Sequence, residues 1–201
     1  YQHIRFMHED KNSSFEIATT RPELLAACIA VVAHPDDQRY KALFGTYAIT
    51  PLFHARVPIL ASTHADPEKG TGILMVCTFG DNDDVQWWKQ SGLPIKQIIG
   101  RDGVLLPVGF GEAPFESSDP SAAQAQYDVL VGLRVKKARK VIVEQLKAAE
   151  VLIGEPEAIE HPVKFYEKGD NPVEFMSTRQ WFIRVLDEKK ALLAQGEKID
   201  W

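Results

Sequence analysis

Two short stretches of the chain bring together side chains able to do chemistry. The first is Asp81 and Asp84, three residues apart where an apolar run hands over to a helix expected from Asp81 to Ser91. Residues so spaced on a helix are neighbours, with Cβ atoms roughly 5–6 Å apart. The two carboxylates repel, and a helix N-terminus eases that by about 0.3–1 kcal/mol. Together they would form an anionic notch for a cation, and the α-ammonium of an amino acid fits. The rival reading, equally well supported by the residues, is capping, with Asp81 as N-cap and Asp84 at the third helical position. A calcium loop is excluded, because Val85, Gln86 and Gly92 stand where a carboxylate or carbonyl ligand, a glycine and a glutamate are required.

The second stretch is Thr19-Thr20-Arg21-Pro22-Glu23. Taken alone, it reads best as a capping box from Thr20 to Glu23, with Pro22 in the first turn. Read functionally, two hydroxyls and a guanidinium at a strand end, beside backbone N–H groups, could hold a ribose, a phosphate or an ester oxygen. The chain has no Ser-His-Asp order, nucleophile elbow or Walker loop. A hydrolase built from these residues would therefore use water. The six histidines lack ligand spacing and the two cysteines, Cys28 and Cys77, sit far apart in apolar runs. No metal is expected, and both thiols read as buried and free in a reducing compartment.

These residues need a scaffold. Tyr1–Phe6 and 14–19 read as strands, the latter with Phe15 and Ile17 inward, and CIAVVA (28–33) as a strand buried on both faces. His34-Pro35-Asp36-Asp37 turns into a short helix carrying Tyr40, Leu43 and Phe44 and stopped by Gly45. TYAITP and VPILA are strands, and HADPEKGTG is a turn feeding GILMVCTF, the most apolar strand. The next helix should present Val85 and Trp88 on one face. Residues 101–120, rich in Gly and Pro, form a long loop. The clearest helix runs from about Leu133 to Glu150, apolar at Ala138, Val141, Ile142 and Leu146 and basic opposite, a face read as solvated. Residues 161–176 read as two strands about a Lys-Gly-Asp-Asn turn, and a last helix runs from about Leu186 to Gln195. The sum is an α+β fold: a curved mixed β-sheet or β-barrel core with surrounding helices.

The 201 residues are 45% apolar and 25% charged, ordinary for a globular domain, with net charge −5. The acidic balance argues against wrapping a phosphate backbone, though not against gripping one nucleotide end. No apolar run of membrane-spanning length and no leader is visible, and the missing initiator Met suggests a piece of a longer chain.

Four motifs in one order resemble the editing domains inserted in class I aminoacyl-tRNA synthetases, those of the valyl enzymes in particular. TTRPELL resembles their threonine-rich motif and AHPDDQRYKALFG the segment after the next strand. GTGILMVCTFGDNDD resembles the motif that builds the pocket, and VKFYEKGDNPVEFMSTRQWFIR the return segment. The likeness covers nearly the whole chain. The leucyl branch shares TTRP and a Met at position 75, while the isoleucyl TTTPWT is absent. Arg179-Gln180-Trp181-Phe182 and HPDDQRY point to the valyl branch.

The resemblance implies one domain over 1–201, with a core at about 10–160 and a hairpin and helix (161–201) returning to a catalytic body. It implies hydrolysis of threonine esterified to the terminal adenosine of valine tRNA, in the cytoplasm. The partners implied are that tRNA 3′ end and the parent's catalytic body, with no membrane. The domain would need no cofactor; ATP and Mg belong to the parent. Asp84 matches the anchor of the substrate ammonium and Asp81 a second pocket carboxylate; Thr19, Thr20 and Arg21 match the wall near the ester and the terminal nucleotides. Met75 and Cys77 depart from the Lys and Thr of many bacterial valyl enzymes, so Asp81 or Thr78 would sense the threonine hydroxyl. Competing readings are leucyl editing, a non-catalytic module holding the tRNA end, and a freestanding enzyme.

Overall fold

Residues 1–78, 80, 82–159, 164–169, 172–178 and 180–199 are described by a computed structural model of the chain. Strands β1 (Gln2–His8), β2 (Ser14–Thr19), β3 (Cys28–Ala33), β4 (Tyr47–Ile49), β5 (Arg56–Ala61), β6 (Ile73–Cys77) and β7 (Leu152–Ile153) form one sheet. Its order is β2-β1-β4-β5-β3-β6, with β7 added to β1. Pairing is antiparallel except between β3 and β5. The two ends of this order meet. The Ala18 N–H in β2 donates to Thr71 Oγ1 just before β6 (3.3 Å), so the sheet curls into a nearly closed barrel. Closure hides strand edges that would otherwise present unpaired backbone groups. The α+β barrel expected from the sequence is the fold observed.

The barrel is filled by Ile4, Phe6, Ile17, Val31, Ile59 and Ile73, all at most 1% exposed. CIAVVA reads as an unbroken apolar run because β3 is covered twice. Cys28, Val31 and Ala33 face the barrel core. Ile29, Ala30 and Val32 face a second cluster with Val76 and Trp87. A strand with two dry faces cannot alternate.

The described residues include four α-helices, α1 (Asn82–Ser91), α2 (Pro120–Asp128), α3 (Val135–Ala148) and α4 (Lys189–Gly196), the last with no buried residue. Helix α1 is rotated from the expected phase. It buries Asp84 and Trp87, whereas Val85 and Trp88 are half-buried. Trp87 Nε1 donates to Ser62 Oγ at 2.6 Å, and Asp84, one turn earlier, points to the end of β6. The polar anchor sets the phase, which a count of apolar residues overlooks. Helix α2 lies beyond the loop expected over 101–120. Its start is marked by Asp119, whose carboxylate accepts from Ala122 N, and by Pro120 in the first turn. Helix α3 buries Ala138, Ile142 and Leu146 as its periodicity demands.

The return segment is less regular than expected. Among the described residues it shows one bridge, Phe165 to Pro172, with Val173 N–H donating to Lys164 O at 2.9 Å. Phe165, Tyr166 and Val173 are each more than half exposed. A hairpin lacking a third strand or a packed face is marginal. Among the described residues, no helix is long and apolar enough to cross a membrane.

Candidate active site

The site gathers where β6 ends and α1 begins. Asp84 is 6% exposed, and its carboxylate turns back from the first turn of α1 to the strand. Oδ1 accepts from Cys77 N (3.2 Å) and Oδ2 from Gly80 N (2.7 Å). The side chain thus caps the strand-to-helix turn, a variant of the capping reading that also fixes the carboxylate. Gly80 is required by contact: an added Cβ would lie 2.7 Å from Asp84 Oδ2 and 3.2 Å from Leu24 Cδ1. Asp81, the other half of the expected notch, lies outside the described residues, as do Phe79 and Arg179.

The TTRPE motif does not form the expected capping box. Pro22–Ala27 is a 3-10 turn whose N-cap is Arg21, with no side-chain cap. Thr19 Oγ1 accepts from Arg21 N at 3.0 Å and so pins the strand exit. Thr20 is half-buried beside it. Glu23 is instead fully buried in an ion cluster. It accepts from Arg21 Nε (3.0 Å) and, in a bidentate contact, from Arg139 Nε and Nη2 of α3 (both 2.8 Å). A carboxylate without water must find such donors, or folding would leave an uncompensated charge.

Arg21 links this cluster to Asp84. Its Nη1 donates to Gly80 O (3.2 Å) while its Nη2 donates to Glu174 of the return segment (2.6 Å). Burial opposes the guanidinium charge, but Glu23 and Glu174 outweigh it and hold Arg21 above its ordinary pKa. The basic face of α3 is therefore not all solvated. Arg139, placed there by helical spacing alone, reaches across to Glu23. Glu174 and Arg139 were missed in the sequence because ion pairs 153 and 116 residues apart leave no local pattern.

Three further expected residues surround the strand end. Thr78 is 4% exposed, and its Oγ1 accepts from Lys96 N at 3.2 Å. It lines a cavity of about 10 Å³ between Ile95 and Gln97 on one side and Phe175, Met176 and Ser177 on the other. That is room for at most one water, which excludes an aminoacyl group there. Met75 and Cys77 are 8% and 2% exposed and face the barrel core. Cys77 stands opposite Cys28 across β3 and β6, and Thr78 N–H donates to Ala27 O (3.3 Å). Burial, reinforced by the neighbouring Cys28, pushes the Cys77 thiol well above its ordinary pKa. Both cysteines are buried and free.

Lys96 went unnoticed in the sequence. It is 5% exposed, its ammonium donating to Cys28 O at 3.1 Å and lying 5.9 Å from the Phe115 ring. Burial lowers its pKa. HPDDQRY is a structural clamp: Arg39 pairs with Asp37 (2.6 Å) and donates to Pro67 O (2.9 Å), bracing the turn before β6. Among the described residues no group of three or more His, Cys, Asp or Glu could hold a metal.

Comparison with known proteins bears on what this arrangement is. The model of the leucyl-tRNA synthetase editing domain matches residues 32–147, more than half of the chain. The chain belongs to the synthetase editing-domain family. Within that family its relatives are of the valyl kind. It is 51% identical to a valine–tRNA ligase of Thermobifida fusca over 100% of its length, 47% identical to that of Leifsonia xyli and 45% identical to that of Tropheryma whipplei. The chain spans 23% of each of these relatives. A solved LeuRS–tRNA–LeuAMS complex from Agrobacterium radiobacter K84 is similar over 65% of this chain and 19% of its own, with 18% identity and a TM-score of 0.44, too distant to add to the assignment. For an editing domain, the strand-to-helix corner with its buried carboxylate is the candidate active site.

Proposed function

We propose that this editing domain hydrolyses threonine esterified to the terminal adenosine of valine tRNA, within a cytoplasmic valine–tRNA ligase whose separate catalytic body uses ATP and Mg. The observation carrying this reading is the Asp84 carboxylate. It is buried, and two backbone N–H groups fix its direction before any substrate arrives. A carboxylate has about four acceptor positions, so it can keep backbone donors and still take an ammonium. Such a contact is charge-assisted and orients the ester without reorganisation in the site.

Thr19, Thr20 and Arg21 form the wall on the ester side. The Arg21 N–H is engaged by Thr19 Oγ1, so polarisation of the ester carbonyl falls to Thr20. Water is the nucleophile, assisted by a ribose hydroxyl. Its attack on the ester carbon releases threonine and leaves the tRNA with a free terminal ribose.

Selectivity follows from what the pocket asks of a side chain. An apolar pocket rejects an added hydroxyl only about a hundredfold, a magnitude taken from the valyl case itself. A pocket with polar groups does better, since valine would strand each of them at about 1–3 kcal/mol. Asp81 is the sensing group in this reading, since the cavity beside Thr78 has room for at most one water. Met75 and Cys77 face the barrel core and offer the substrate no polar group. Deacylation of threonyl-, valyl- and isoleucyl-tRNA by the chain tests the proposal. Hydrolysis of the threonyl ester is expected. Preference for the isoleucyl ester would make it leucyl-like, and binding without hydrolysis would make it a holding module.

A further inference from the structure

The pair Cys28 and Cys77 ends the β3–β6 register, and a bulge between Cys28 and Ala30 separates it from the rest. Thr78 N–H donates to Ala27 O at 3.3 Å, a bond that flanks the pair instead of joining it. Facing residues of that kind spend their own N–H and C=O groups elsewhere. Cys77 N–H donates to Asp84 Oδ1 at 3.2 Å, and Cys28 N–H donates to Leu25 O. Cys28 O accepts from the Lys96 ammonium at 3.1 Å. The same lysine donates its backbone N–H to Thr78 Oγ1 at 3.2 Å. Lys96 therefore holds β3 with its side chain and the exit of β6 with its backbone, past the point where the bulge interrupts the ladder.

An ammonium is a costly way to occupy this place. Lys96 is 5% exposed, and its Nζ lies 5.9 Å from the Phe115 ring. Burial works against the charge, and a methionine would fill a similar length without that penalty. What a methionine lacks is a donor for Cys28 O. We propose that Lys96 is a positioning residue of the candidate active site: it brackets β3 and β6 beyond their bulge and so fixes the Cys77 N–H on which Asp84 rests. The reaction it serves is the hydrolysis proposed above, while the bracket stands on the contacts alone. Lys96 acts through Asp84 and not on the substrate. Asp84 is held at two points, Cys77 N–H and Gly80 N–H, and the direction of its carboxylate depends on where β6 ends.

The test compares the 201-residue chain with Lys96→Met and Lys96→Arg, with melts recorded for each. Amide hydrogen exchange followed by NMR reads the bracket directly. In Lys96→Met the Cys77 and Gly80 N–H groups should exchange about tenfold faster, while Val31 to Ala33, across the bulge, keep the parent's rates. Lys96→Arg, which keeps a cationic donor, should restore the slow exchange. Hydrolysis of threonyl-tRNA is measured beside it. The expected kcat is about tenfold lower in Lys96→Met with KM unchanged, the scale of a small misplacement of an orienting group, and it recovers in Lys96→Arg. Should Lys96→Met not fold, Lys96→Gln, with a shorter and neutral amide, carries the same expectations. Unchanged exchange at Cys77 and Gly80, or an equal acceleration along all of β3, would overturn the proposal. Local acceleration in a chain that hydrolyses no threonyl ester keeps the bracket and removes the proposed function. Hydrolysis with equal kcat in the parent and Lys96→Met keeps the function and removes Lys96 from it.

Discussion

Arg139→Ala is the change whose cost can best be reckoned from the geometry. Glu23, fully buried, accepts from Arg139 Nε and Nη2, both at 2.8 Å, and from Arg21 Nε at 3.0 Å. Removing one partner of a fully buried pair costs roughly 3–5 kcal/mol, mostly for the charge left behind. Two features lower that here. Arg21 stays in place, and the Arg139 side chain is 44% exposed, so water reaches the gap. The expected loss is about 2–3 kcal/mol, or a melting temperature roughly 5–10 °C lower for a chain of this size. Thermal melts followed by circular dichroism, with urea titration as a second measure, would show it. Glu23→Gln should cost less in the Arg139→Ala background than in the parent, because there it removes a charge that has lost its main partner. A variant melting within about 1 °C of the parent, or strictly additive costs, would refute the view that Glu23 depends on Arg139.

Three other outcomes follow from named contacts. Gly80→Ala places a Cβ 2.7 Å from Asp84 Oδ2; it should destabilise the chain by roughly 1–3 kcal/mol and displace the carboxylate, which a crystal structure of the variant would reveal. Asp119→Ala removes the acceptor for Ala122 N at the start of α2 and should cost about 1 kcal/mol in urea unfolding. Burial holds Lys96 below its ordinary 10.5, so between the lowered value and 10.5 the unfolded chain binds more protons than the folded one. Stability from this residue therefore rises with pH through that window, and the stability of the parent relative to Lys96→Met should climb as pH approaches 10.5. Cys77, whose pKa is raised, pulls the other way above its ordinary value of 9.0, and equally in both proteins, so a flat difference would refute the assignment to Lys96.

The barrel was legible because its strands are local. CIAVVA and SFEIAT carry their burial in their own composition, and α3 in its spacing. Asp84 was found because strand, glycine and acid fall within a few residues. Helix α2 was overlooked although Asp119-Pro120 is a start signal, since it follows a Gly- and Pro-rich loop and its mean hydropathy pattern is faint. The phase of α1 was misjudged because a buried carboxylate, not an apolar face, turns the helix. Glu23 was read as a cap from its spacing to Thr20; its actual partner, Arg139, is supplied by tertiary packing. Lys96 gave no sign at all, because a lysine between Ile95 and Gln97 looks like any surface cation.

The structure also changes how Asp84 must be tested. Alanine would strand the Cys77 and Gly80 N–H groups at about 1–3 kcal/mol each, so lost activity would be confounded with a disturbed turn. Asparagine keeps one acceptor oxygen and removes the charge. The decisive measurement is hydrolysis of threonyl-tRNA for valine by the parent chain and by Asp84→Asn, with both melts recorded. Hydrolysis by the parent, reduced roughly 10–100-fold in a variant that still folds, is the predicted result, the loss of one charge-assisted contact to the ammonium. A folded Asp84→Asn that hydrolyses at the parent's rate, or a parent with no hydrolysis to lose, would contradict it.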